Sequence, residues 1–159
     1  MARVIALQAP RASDRIPGNE TPAPAAPPGG DVYVVFTTID QTLRAVRVAR
    51  RLADAMGSGV TVVHFQSVDF GAPLEDPVGI SPVETDDFTS RLEAEGAPIR
   101  VRVWVCRDAR RAISLALGAH ALVVVGGRRR WWPTRSGRWQ RRLEAQGHFV
   151  VFVDEAVHA

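Results

Sequence analysis

Two adjacent glycines, Gly126 and Gly127, close the apolar run Ala121-Leu-Val-Val-Val125. A glycine pair at a strand end lets the backbone approach a ligand, and a helix starting soon after it offers N–H groups to an anion. The next stretch, Arg128-Arg-Arg-Trp-Trp-Pro-Thr-Arg-Ser-Gly-Arg-Trp139, holds three of the four tryptophans. Between Gly126 and His148, seven arginines (Arg128, Arg129, Arg130, Arg135, Arg138, Arg141 and Arg142) stand against one acid, Glu144. The whole chain is only +3, so the basic charge is concentrated in this patch. Arginine pairs bidentately with phosphate, and the Arg128–Arg142 patch therefore suits a nucleotide or other anionic ligand. Interleaved Arg and Trp also suit nucleic acid, through phosphate pairing and base stacking, or an anionic membrane surface. The plain structural alternative packs the rings over a sheet end or a dimer interface and leaves the arginines solvated.

Other chemistry finds less support. The chain has no GxxxxGK[ST] phosphate loop, no GxGxxG fingerprint and no lysine at all. His64 lies inside an apolar run and reads as a core histidine; His120 and His148 each precede a strand, and His158 is in the tail. No Ser/His/Asp or Cys/His spacing and no metal-ligand cluster is readable. Glu84, Asp86 and Asp87 match metal ligands by type, but a helix start attracts acids through its dipole. Ser136 reads as a helix N-cap before a nucleophile. Cys106, the single cysteine, excludes an internal disulfide and reads as a small buried apolar residue. Catalytic residues and metal ligands are therefore both assigned as none.

The elements that must position these residues lie between Asp31 and Asp154. Residues 1–30 hold six of the eleven prolines and read as a disordered Pro/Ala-rich tail; residues 155–159 read as a C-terminal tail. The first ten residues are too weakly apolar for a secretory signal, and no window approaches a membrane span, so a cytoplasmic location is expected.

Within 31–154, near-continuous β-branched runs predict strands over Val32–Thr37, Val60–Phe65, Ile99–Cys106, Ala121–Val125 and Phe149–Val153. Helical patterns fall between them. The first, Asp40–Met56, takes Asp40 as N-cap, an apolar stripe of Leu43, Val46, Val48, Leu52 and Met56, and Gly57 as C-terminal stop. Pro82–Gly96 is the second, a helix capped by Asp108 the third, and Ser136–Gln146 the fourth, with a long connection over residues 67–80. Strict β-α alternation predicts an α/β fold: a doubly wound, mainly parallel, five-stranded sheet with helices on both faces, a Rossmann-like sandwich. Ligands in such sheets sit beyond the carboxyl ends of the strands, where strand order reverses. Here that is the rim of the first and fourth strands.

The arrangement resembles the universal stress protein (UspA-like) family of the adenine-nucleotide α-hydrolase-like superfamily. The resemblance spans nearly all of residues 31–154 and is carried by Val32–Met56, the strand Val62-Val-His-Phe65, and Gly118-Ala-His-Ala-Leu-Val-Val-Val-Gly-Gly127. It implies a five-stranded sandwich that dimerises through its last strand, here Phe149–Val153. It also implies ATP or AMP bound by a GxxG, nine residues, then G[S/T] signature after the fourth strand, assisted by an acid ending the first. Carried over residue by residue, the cofactor-binding positions are Thr37, Phe65, Gly126, Gly127, Arg128, Ser136 and Gly137. Several depart from the pattern. Arg129 stands at the second motif glycine, Ser136-Gly137 lies opposite the G[S/T] across a shorter loop, Thr37 replaces the acid, and Phe65 occupies the position laid against adenine. The expectation is a non-catalytic binding and signalling module of the stress response, with nucleotide binding weakened or lost. The alternatives are an ATP- or AMP-binding member with weak hydrolase activity, or an Arg/Trp loop that docks on nucleic acid or membrane.

Overall fold

β-Branched side chains fit a pleated surface buried on both sides, and the valine-rich runs do form the strands. The computed structural model describes residues 5–8, 30–67, 82–96 and 98–155. Its order is β1 (Ile5–Gln8), β2 (Val32–Val35), α1 (Ile39–Met56), β3 (Val60–Ser67), a 3₁₀ turn (Pro82–Glu84), α2 (Asp86–Glu93), β4 (Ile99–Cys106), α3 (Ala109–Leu117), β5 (Leu122–Gly127), α4 (Arg135–Ala145) and β6 (Phe149–Asp154). All strands pair in parallel, in the order β1-β4-β3-β2-β5-β6.

The five expected strands form the body of the sheet. A sixth, β1, joins beside β4 with Ile5 opposite Arg100. It comes from the segment expected to be a disordered tail, and it covers an edge that five strands would leave unpaired. The connection expected over residues 67–80 lies, beyond Ser67, outside the described residues.

Alternate strand residues feed two cores. Val34, Phe36, Val62, Val101 and Val124 pack under α1 and α2. Val35, Val63, Phe65, Val123 and Val125 pack under α3 and α4. Helices thus cover both faces, and chain progression reverses between β2 and β5.

Helix starts are shifted from the sequence expectation. Thr38, not Asp40, caps α1 by accepting from the Gln41 N–H. Small residues, Ala45, Ala49 and Ala53, dominate the buried stripe of α1, and Met56 is exposed. Short side chains let this helix lie close to the valine-filled sheet. Asp108 caps α3 as expected. Thr134, not Ser136, caps α4 by accepting from the Gly137 N–H at 3.1 Å.

Candidate functional site

Strand order reverses between the paired strands β2 and β5, and the helices that follow them, α1 and α4, start beside their ends. A crevice of ≈ 310 Å³ opens there, and Thr37, Thr38, Arg128, Arg135, Ser136 and Glu155 contribute to its lining. Of the residues singled out in the sequence, this brings together Thr37, Arg128 and Ser136. Gly126 and Gly127 end β5 and are not part of this lining. Gly137 lines a neighbouring hollow of ≈ 450 Å³ with Trp131, Trp132 and Phe152. Phe65 lines another, of ≈ 370 Å³, with Arg135, Arg138, Trp139 and Arg142.

The glycines have a packing reason. A methyl on Gly126 would lie 2.7 Å from the Gln41 carbonyl carbon and closer still to its oxygen. One on Gly127 would lie 2.9 Å from the Phe152 ring and overlap the Ser136 side chain. The first turns of α1 and α4 therefore occupy the space that the sequence suggests for a ligand. Ser136 is buried, with its hydroxyl 3.2 Å from that of Thr134.

Thr37 is also committed to the fold. Its hydroxyl donates to the Gly126 carbonyl oxygen at 2.9 Å, and its N–H donates to the Thr42 hydroxyl at 3.1 Å. Phe65 stacks on Trp139 with ring centroids 5.2 Å apart and an interplanar angle of 27°. The ring of Trp139, not open space, covers Phe65.

One participant escapes the sequence reading. Glu155, expected in the tail, continues the β6 ladder by donating its N–H to the Gly127 carbonyl at 2.8 Å. Its carboxylate accepts from Gln41 Nε2 at 3.4 Å and lies 3.9 Å from Arg128 Nε. Arg135, which opens α4, lines both the crevice and the hollow over Phe65. The signal for Glu155 was an acid directly after a strand that ends at the same rim as β5. The signal for Trp139 was its spacing to Leu143 on one helix face.

Burial, aided by the charge of Arg135, lowers the His64 imidazole to about 4, so it is neutral at physiological pH. Burial and then Asp108 push the Cys106 thiol up, against a weaker pull from Arg142. His148 accepts the Ala121 N–H on Nδ1 at 3.1 Å, a contact that ties two strand starts together. Among the described residues, no group of three or more His, Cys, Asp or Glu side chains gathers to hold a metal. No described helix is long and apolar enough to cross a membrane.

No protein-family model matches the chain, and no curated protein sequence does. Solved structures do. A universal stress protein from Archaeoglobus fulgidus superposes with a TM-score of 0.58 at 21% identity, over 78% of this chain and 93% of that one. A universal stress protein in complex with cAMP superposes with a TM-score of 0.50 at 18% identity, over 79% and 98%. The fold is that of the universal stress proteins.

Proposed function

On this universal-stress-protein fold, we propose a non-catalytic binding module of the stress response. Its crevice between β2 and β5 takes phosphate-bearing nucleotides weakly and does not turn them over. The observation that carries the reading is the crevice lining: Arg128, Arg130 and Arg135 converge on a small cavity with the hydroxyl-bearing Thr38 and Thr134. Guanidinium groups bond phosphate oxygens strongly, and the cavity is at the small end for a ligand pocket.

Three features support weak affinity. Thr37 spends its hydroxyl on Gly126 and supplies no carboxylate. Trp139 stacks over Phe65 and competes with any base placed there. Glu155 draws Arg128 and projects negative charge into the crevice. The cAMP carried by one structural neighbour makes single-phosphate nucleotides the first ligands to try.

Calorimetry with cAMP, AMP and ATP tests the reading. Expected dissociation constants lie in the high micromolar to millimolar range, lost on Arg135→Ala. Tight micromolar binding of ATP would overturn the weakened affinity. Phosphate release from ATP by the purified protein would overturn the absence of turnover.

A further inference from the structure

The arginines of the Arg128–Arg142 segment do not share one face. Arg129 and Arg141 line the ≈ 450 Å³ hollow, whose walls include Trp131 and Trp132. Arg138 and Arg142 line the ≈ 370 Å³ hollow on the other side of α4. The crevice lies between them, sharing Arg128 and Arg130 with the first hollow and Arg135 with the second. Three concavities with common walls thus follow one another around the N-terminal end of α4.

Aromatic surface is offered along the same line. Trp131 is 92% exposed, and Trp132 meets it edge-on with ring centroids 5.0 Å apart. The Arg130 guanidinium lies 5.0 Å from the Trp132 ring centre, which holds a cation beside the indole pair. Among the described residues, Arg129, Arg130, Arg135 and Arg138 have no carboxylate partner. An indole left in water beside several guanidinium groups fits a partner that is both anionic and aromatic.

We propose that this rim is a docking groove for single-stranded nucleic acid, with phosphates following the arginines and bases stacking on Trp131 and Trp132. The inference goes beyond the mononucleotide reading, because it requires Trp131, Arg138 and Arg141, which lie outside the crevice. A flexible polyanion can follow concavities on both sides of a helix, whereas a flat bilayer reaches only one side. Unpaired bases expose the faces that an indole stacks on, and duplex bases do not.

Fluorescence anisotropy with a labelled oligothymidylate tests it. Neutralising about four phosphates gives a log–log salt slope of about −3. Trp131→Ala lowers affinity about tenfold. Because the Trp131 side chain is almost wholly exposed, that variant keeps its circular dichroism spectrum and its weak AMP binding. Arg138→Ala combined with Arg141→Ala flattens the salt slope by about one unit or more. The inference is overturned if oligothymidylate binding is absent or insensitive to salt. Unchanged affinity in Trp131→Ala, or equal binding of a duplex of the same length, overturns it too. Binding to phosphatidylserine vesicles without binding to the oligonucleotide assigns the patch to membranes instead. Loss of AMP binding with retained oligonucleotide binding counts only against the crevice reading.

Discussion

The Thr37 hydroxyl and the Gly126 carbonyl oxygen, 89 residues apart in sequence, are joined by a buried hydrogen bond of 2.9 Å. It ties the ends of β2 and β5 together at the point where chain progression reverses. Removing the donor leaves a buried carbonyl without this partner, so Thr37→Val should cost about 1–2 kcal/mol in urea unfolding. Thr37→Asp should cost more, since it sets a carboxylate against a carbonyl, acceptor to acceptor. A Thr37→Asp variant as stable as wild type would show that this position tolerates the acid and is not committed to the β2–β5 contact.

Gly126 should be the least replaceable of the rim glycines. Gly126→Ala forces α1 off the sheet end, and a loss of about 3 kcal/mol is expected. Gly137→Ala is the comparison. There a methyl meets only the Thr134 hydroxyl at 3.2 Å, and α4 gains a better helix former. Its stability should stay within about 1 kcal/mol of wild type. Equal losses in the two variants would contradict the packing account of Gly126.

The Glu155 carboxylate competes with any phosphate for Arg128. Both groups are partly exposed, so water and salt screen their attraction and its contribution is small. Glu155→Gln should therefore tighten AMP binding only a few-fold, mainly at low salt. A weakening on this substitution would mean that Glu155 contacts the ligand favourably.

His64 makes folding pH-dependent. Its imidazole, held near 4 in the folded chain, returns to the ordinary value near 6.5 on unfolding. The unfolded state therefore binds the extra proton between these values. Stability is full above pH 6.5 and falls as pH drops toward 4, by on the order of 2–3 kcal/mol from this residue. Urea midpoints measured at pH 7.5 and 4.5 should separate in the wild type and draw together in His64→Leu. An unchanged gap would place the pH dependence elsewhere.

Strand β6 stands at the sheet edge, with Phe149 exposed. The N–H groups of Phe149 and Glu155 donate to Ala121 and Gly127 of the β5 side. Alternation along a parallel strand then turns the N–H groups of Val150 and Phe152 outward. If a homodimer forms through this edge, Val150→Pro should yield monomers by light scattering while sparing the bonds to β5. A dimer that survives the substitution would not use β6 pairing.

Much of the fold was legible locally. Runs such as Val60–Phe65 and Leu122–Val125 are β-branched and apolar on both faces, which only a covered parallel sheet accommodates. Asp108 and Gly57 marked helix ends by their own chemistry. The site was less legible. Thr37, Arg128 and Ser136 line one crevice, whereas helix turns fill the space over Gly126 and Gly127, and Phe65 faces Trp139 in a separate hollow. Ile5–Gln8 showed no strand signal strong enough to stand out from its proline-rich surroundings.

Within residues 31–154, the amino-acid sequence by itself determined which segments are strands and helices, their alternation, and the clustering of arginine and tryptophan after β5. Those properties depend on side-chain type and on neighbours a few residues away. Tertiary structure alone decided that Thr37 bonds Gly126, that Ser136 fills the space beside Gly127, and that Glu155 enters the crevice. Each of these pairings joins separate elements across the order β3-β2-β5-β6. Such contacts arise only once the crossovers have brought distant segments side by side, and no local pattern encodes them.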